Sequence, residues 1–139
     1  LTRPPKVTGA ENPEYPMNMD RLLQTLGITT LDWSYKTECC GGSMSIIDSD
    51  TCLNLVKKIL DNAIAVGADA IVSACPMCHS NLDSRQPALS QREGQGYKVP
   101  ALYFTQLVAL SLGLGEKKAD LKGHMVDPKP LLIEKGLLP

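Results

Sequence analysis

The stretch "ADAIVSACPMCHSNL" constrains the fold more than any other part of this chain. The apolar run 68–74 is bounded by Gly67 and Pro76, the pattern of a short strand covered on both faces. Pro76 follows it closely, and proline is at home in the first turn of a helix, where its missing N–H costs nothing. A strand that runs straight into a helix implies a crossover unit of a parallel sheet. Cys75 and Cys78 sit at that junction, one helical turn apart. The backbone N–H groups and dipole of a helix start favour a thiolate by about 0.3–1 kcal/mol at exposed sites. Taken alone, CPMC leaves three options open: a redox dithiol, half of a zinc site, or half of an iron–sulfur site.

The rest of the chain extends this pattern. Met19, Leu22, Leu23 and Leu26 give a helical stripe over 17–26, with Gly27 just past its end. Residues 28–36, with Thr29, Thr30, Trp33 and Tyr35, are expected to form a first strand. A loop follows with Cys39, Cys40, Gly41 and Gly42. Ser49 or Asp50 can cap a helix over 51–66 whose stripe is Cys52, Val56, Ile59, Ala63 and Val66. After CPMC a helix over 77–84, a polar loop over 85–98, a third strand over 99–103 and an apolar helix over 104–112 are expected. A last short helix falls around 131–135. The proline-rich residues 1–16 read as an irregular arm.

These expectations give an α/β class: a small parallel sheet with crossover helices. Right-handed crossovers put successive strand ends on one edge, where ligands of such sheets gather. The loops carrying Cys39-Cys40 and Cys75–Cys78 therefore meet at the carboxyl edge.

The chain holds five cysteines, an odd number, with no visible secretory signal. That usage favours a reducing compartment, and hence the cytoplasm, with clustered thiols engaged in metal binding or redox work. A net charge of -1 gives no basis for binding nucleic acid or an anionic membrane. No apolar run approaches the roughly 20 residues of a spanning helix. The start lacks a methionine, which reads as a fragment, a processed half or an incomplete chain.

The adjacent pair Cys39-Cys40 narrows the chemistry. A tetrahedral zinc with Zn–S bonds of about 2.3 Å needs its sulfurs close together, and neighbouring side chains must bend to comply. They reach two different metal atoms more naturally, as a polynuclear cluster allows. Gly41 and Gly42 permit positive φ and close backbone approach, so that their N–H groups could face cluster sulfides. Cys52 lies on an apolar helix stripe and reads as core. His79 reads as structural or as a neighbour of the ligands, His124 as an isolated tail residue, and Trp33 as core. Lys36 and Arg85 read as solvated charges, with attraction of an anionic substrate as the alternative.

With "ECCGGSMS" and "CPMCHSNLDSRQ" in place, the chain resembles the cysteine-rich CCG domains of the heterodisulfide reductase family, as found in its B-type subunit. The likeness is close to the C-terminal one of the two such domains in that subunit. "RPPKVTGAENPEYPMNMD", "YFTQLVALSLGL" and "PLLIEKGLL" share the likeness, which thus runs along nearly the whole chain. The resemblance implies that 1–139 is a single CCG domain, the C-terminal half of a longer subunit. It implies a noncubane [4Fe-4S] cluster held by Cys39, Cys40, Cys75 and Cys78, with no catalytic acid or base transferable. It further implies an oxidoreductase that cleaves a disulfide of thiol cofactors, of the coenzyme M–coenzyme B type. The implied partners are an iron–sulfur electron-transfer subunit, a flavin-containing subunit and the small-molecule disulfide. The family's first cysteine stands a few residues before "RPPKVTG"; this sequence has none before Cys39. Two other readings stand beside this one. Four thiolates could hold one Zn²⁺ in a structural or docking domain, or Cys75 and Cys78 could act alone as a thioredoxin-like dithiol pair.

Overall fold

The structure, a computed structural model, describes residue 12 and residues 15–139. The arm expected over 1–16 lies almost wholly outside the described residues. In chain order the elements are α1 (Asn18–Thr25), a 3-10 turn (Gly42–Met44), α2 (Ser49–Ala65), β1 (Ile71–Ser73), α3 (Pro76–Ser84), α4 (Gln86–Glu93), β2 (Ala101–Tyr103), α5 (Phe104–Ser111), α6 (Gly115–Ala119) and α7 (Lys129–Glu134).

β1 and β2 pair in parallel, with Ile71 opposite Ala101 and Ser73 opposite Tyr103. The α/β class therefore holds, with a two-stranded sheet among the described residues. Strand alternation divides the core in two. Ile71 and Ala101 join Val56, Leu60, Leu82 and Leu89 on one side, while Leu102 joins Leu23, Leu107, Leu110 and Leu132 on the other. Both faces of the sheet are covered, as its apolar strands require.

The first expected strand, 28–36, is not formed. Ile28 N–H returns to the Leu23 carbonyl and closes α1, and 34–37 form a turn. Between them the segment is tied to its surroundings by side chains. Gln24 Nε2 donates to Thr30 Oγ1 at 2.7 Å, and Tyr15 Oη donates to Asp32. β-propensity is a preference for a pleated, half-buried surface, and here the segment has no strand beside it among the described residues.

α2 starts one residue earlier than the caps expected from sequence. Asp48, rather than Ser49 or Asp50, accepts from Thr51 N at 3.0 Å and from Thr51 Oγ1 at 2.6 Å. Its stripe is buried at Cys52, Val56, Ile59 and Ala63, while Val66, past the helix end, is exposed.

The crossover from β1 to β2 consists of two helices, and α4 occupies part of the stretch expected to be a polar loop. Its anchor explains the difference. Gln86 is fully buried, donating from Nε2 to the carbonyls of Leu82 (3.0 Å) and Val99 (2.7 Å) and accepting from Val99 N at 2.9 Å. A helix held by one buried amide and Leu89 shows little apolar periodicity. Among the described residues no helix is long and apolar enough to cross a membrane.

Gln86→Leu keeps the volume but strands three buried backbone groups. It is expected to lower stability by about 3 kcal/mol, given the cost of unsatisfied buried polar groups, and urea unfolding measures it. An unchanged midpoint would show that α4 is not pinned this way.

Candidate metal centre

The two cysteine loops meet, although a strand does not deliver the first of them. Gly41 adopts φ +70°, and a Cβ there would lie 2.8 Å from Leu55 Cδ1 and 3.3 Å from Cys52 Cα. The chain can reverse over α2 in this way only at a glycine. Gly42 does not use the positive φ that glycine permits; a Cβ there would make ordinary contacts of 3.5 Å with Cys40 Sγ and Met77 Cε. The reversal sends the neighbouring thiols apart: Cys40 is buried and Cys39 exposed. The Gly41 N–H lies 3.4 Å from Cys39 Sγ.

Cys75 is the N-cap of α3, in an extended conformation, with Pro76 in the first turn. Ser73 Oγ accepts from Cys75 N (3.1 Å) and donates to Cys75 O (3.0 Å), pinning the step from strand to helix. Tyr103 Oη donates to Ala74 O at 2.8 Å, so β2 braces the same step. Cys78, one turn along, brings its sulfur to 3.3 Å from Cys40 Sγ.

Asn81 holds the two loops together. It is buried on α3, and its Nδ2 donates to Cys40 O at 2.7 Å. Cys52, fully buried as the sequence implied, lies 3.4 Å from both Asn81 Oδ1 and Nδ2. Nothing in the local pattern singled out Asn81; the signal available was its place one turn beyond Cys78 on the same helix.

Electrostatics separate the two CxxC thiols. The Cys75 thiol is shifted down, chiefly by the Cys78 amide, with help from the Cys78 side chain and the Met77 amide and against some desolvation. Those amides lie near the sulfur without completing a cap hydrogen bond of ordinary geometry. The Cys78 thiol is pushed up strongly, first by burial and then by the neighbouring sulfurs of Cys40 and Cys75. An inward thiol that resists ionisation beside a thiolate-prone one is a donor set that a bound cation would complete. The all-sulfur donors thus fit a thiolate-bound metal centre. Among the described residues, however, no three Cys, His, Asp or Glu side chains are arranged to hold a single ion.

Around this centre several expectations change. His124, read as isolated, packs edge-on against His79 with ring centroids 5.0 Å apart. Asp83 on α3 brings it there by accepting from Met125 N (2.6 Å) and Val126 N (3.0 Å). His79 Nε2 is buried without a hydrogen-bond partner. His79, Tyr103, Gln106, Lys118, Lys122 and His124 line a polar pocket of about 440 Å³ beside α3. Burial shifts the His124 imidazole down, toward the neutral form. Lys36 is no solvated charge: largely buried, it pairs with Asp20 at 2.9 Å and sits over the Tyr15 ring. Arg85 donates to Ser45 O at 3.0 Å and clamps the loop after the 3-10 turn. Trp33 packs against the core.

The fold and these thiols define a cysteine-centred α/β domain with its sulfurs gathered at the carboxyl end of β1. The chain belongs to the CCG family, the cysteine-rich domain, whose family model matches residues 5–83. It is 30% identical, over 91% of its length, to the B-type subunit of the Ferredoxin:CoB-CoM heterodisulfide reductase of Methanosarcina mazei, covering 43% of that protein. A protein of Archaeoglobus profundus that is itself described as like this heterodisulfide reductase subunit is also 30% identical over 91% of the chain, with 42% of that protein covered. The 8-methylmenaquinol:fumarate reductase membrane anchor subunit of Wolinella succinogenes is 26% identical over 93% of the chain, with 45% covered. The chain thus spans less than half the length of the curated relatives it matches, and those relatives are reductase subunits or resemble them.

Two outcomes follow from the site's geometry. In metal-free, reduced protein at pH 7, iodoacetamide should modify Cys75 well before Cys78, because the lowered thiol is the more ionised of the two; peptide mass analysis reads the order, and equal rates would contradict it. Gly41→Ala places a Cβ against Leu55 and forces an L residue into the left-handed region. A loss of about 1–2 kcal/mol in stability is expected by thermal unfolding.

Proposed function

We propose that this domain binds a noncubane [4Fe-4S] cluster through Cys39, Cys40, Cys75 and Cys78, as the C-terminal CCG domain of a heterodisulfide reductase-like subunit. The observation that carries the reading is the approach of Cys40 and Cys78 to 3.3 Å, with Cys75 at the start of the same helix. Membership of the CCG family and the reductase relatives support it. When bound, the cluster supplies one-electron chemistry that thiols alone lack.

The reaction is reduction of a disulfide between two thiol cofactors, of the coenzyme M–coenzyme B type. The S–S bond breaks, two electrons and two protons enter, and two thiols leave. An iron–sulfur subunit delivers the electrons, fed by a flavin-containing subunit, in the cytoplasm. The names of the Methanosarcina mazei relative and its like carry CoB-CoM and ferredoxin, which supports that substrate and that source.

In this chain, the backbone amides around Cys75 favour its anionic sulfur. Asn81 fixes the backbone of Cys40. Burial keeps Cys78 protonated until a cation replaces the proton.

The full subunit, purified or reconstituted without oxygen, is expected to hold iron and acid-labile sulfide in equal amounts, about four of each for this domain, with a low-temperature paramagnetic signal on oxidation or reduction. Cys40→Ser and Cys75→Ser should each remove most of that iron. Stoichiometric zinc without sulfide would replace this reading with the tetrathiolate one. Disulfide reduction by metal-free Cys39→Ser protein would replace it with the dithiol one.

A further inference from the structure

We propose that the polar pocket at the carboxyl end of β2 binds a phosphate or sulfonate group, held by Lys118, Lys122 and the packed imidazoles of His79 and His124. The site stands apart from the cluster reading, since none of these residues is a proposed cluster ligand.

Four elements converge on the pocket. His79 stands on α3, Tyr103 ends β2, Gln106 lies in the first turn of α5, and Lys118 belongs to α6, with Lys122 and His124 just beyond it. Ligands of parallel sheets gather where strands end and helices begin. The volume of about 440 Å³ is that of a small-molecule site, with room for a chain attached to the anionic group.

The charge of the pocket is positive. Among the described residues Lys118 and Lys122 pair with no carboxylate, whereas Lys57, Lys129 and Lys135 each do. Asp120 is the one acid that lines the pocket among the described residues. Two ammonium groups thus face one carboxylate, before either imidazole is counted.

The hydrogen-bonding groups add direction. Gln106 Oε1 accepts from Tyr103 N at 2.8 Å, which fixes the orientation of this amide. Its Nε2 then donates to Asp120 O at 3.2 Å and faces His124 Nε2 at 3.1 Å. His124 Nε2 is therefore the acceptor, and the neutral ring carries its proton on Nδ1. That Nδ1 is buried without a hydrogen-bond partner among the described residues; the Ala101 carbonyl acts on the ring without completing a bond. His79 Nε2 is buried and unpartnered in the same way, and the two rings pack edge-on with centroids 5.0 Å apart. A buried polar nitrogen left unpaired is costly, and hydrogen bonds to a charged acceptor are the strong ones. Because the donors sit on different elements, a tetrahedral group with three outward oxygens matches them better than a flat carboxylate. Such a group arrives free or as the end of a larger molecule. The disulfide of the reaction proposed above is the larger molecule to test, a source that does rest on the cluster reading.

Equilibrium dialysis of radiolabelled inorganic phosphate against the full subunit, purified without oxygen, tests the site. Saturable binding is expected, with affinity falling about tenfold in Lys118→Gln and in Lys122→Gln, as for the loss of one charge-assisted hydrogen bond each. Lys117→Gln, on the same helix but off the pocket, should change it by less than about twofold. His124→Phe keeps a ring against His79 and removes both nitrogens, and a loss of about fivefold or more is expected. Iron content should stay level in all four variants, so that anion and iron are scored separately. Absence of saturable phosphate binding overturns the site. An equal loss in Lys117→Gln, or no loss in His124→Phe, also overturns it by reducing it to loose surface charge. Phosphate binding without iron leaves the site standing and overturns the cluster reading alone. Displacement of phosphate by the disulfide assigns the group to that molecule; displacement by inorganic sulfate but not by the disulfide assigns it to a free anion, and either result supports the site.

Discussion

One side-chain amide organises the centre. Asn81 donates to the carbonyl of Cys40 at 2.7 Å and meets the Cys52 sulfur at 3.4 Å. Three pieces of chain join there: the loop of adjacent cysteines, the helix of the CxxC motif, and the long helix α2 behind both. A buried polar group is costly unless satisfied, so such a junction tolerates little change. It also explains how the loops meet without a strand in front of Cys39. The adjacent-cysteine loop is held from behind by α2 and from the side by α3. Gly41 makes the close approach to α2 possible, since any Cβ there would run into Leu55.

The electrostatics follow from where each sulfur stands. Cys75 faces the amides of a helix start, which shift its thiol down; Cys78, half-buried beside the sulfurs of Cys40 and Cys75, is shifted up. In metal-free protein the proton stays on Cys78. A cation bound there, as proposed, would displace that proton, so its binding would be coupled to proton release and would weaken as pH falls.

The parts of the fold legible in the sequence were those with an unambiguous physical period. The step from 68–74 into CPMC announced strand and helix, and both are there, with Pro76 in the first turn. The buried stripe of α2 was readable from Cys52 to Ala63. What escaped was held by single polar contacts. α4 is fixed by the amide of Gln86, which no hydrophobic pattern reports. His124 is drawn to His79 by the Asp83 carboxylate accepting two backbone amides from the far end of the chain. Lys36 looked like a surface charge because its partner Asp20 is distant in sequence. Contacts of that kind depend on tertiary placement, and spacing along the chain carries little trace of them.

The adjacent cysteines gain a physical sense from their different exposure. Consecutive side chains diverge, and Gly41 widens the divergence by turning the chain. Cys40 goes into the core, reaching Cys78, while Cys39 stays at the surface. A single tetrahedral ion would need both sulfurs on one small sphere, against that divergence. Sulfurs that part at the backbone are better matched to a group several atoms across, with one side bedded in α3 and the other open. Met77, more than half exposed beside Gly42, lies on that same side. On the proposed cluster reading, such an edge would leave the group rooted in the fold yet open on one side to an electron donor, an exposure that a purely structural ion would not require.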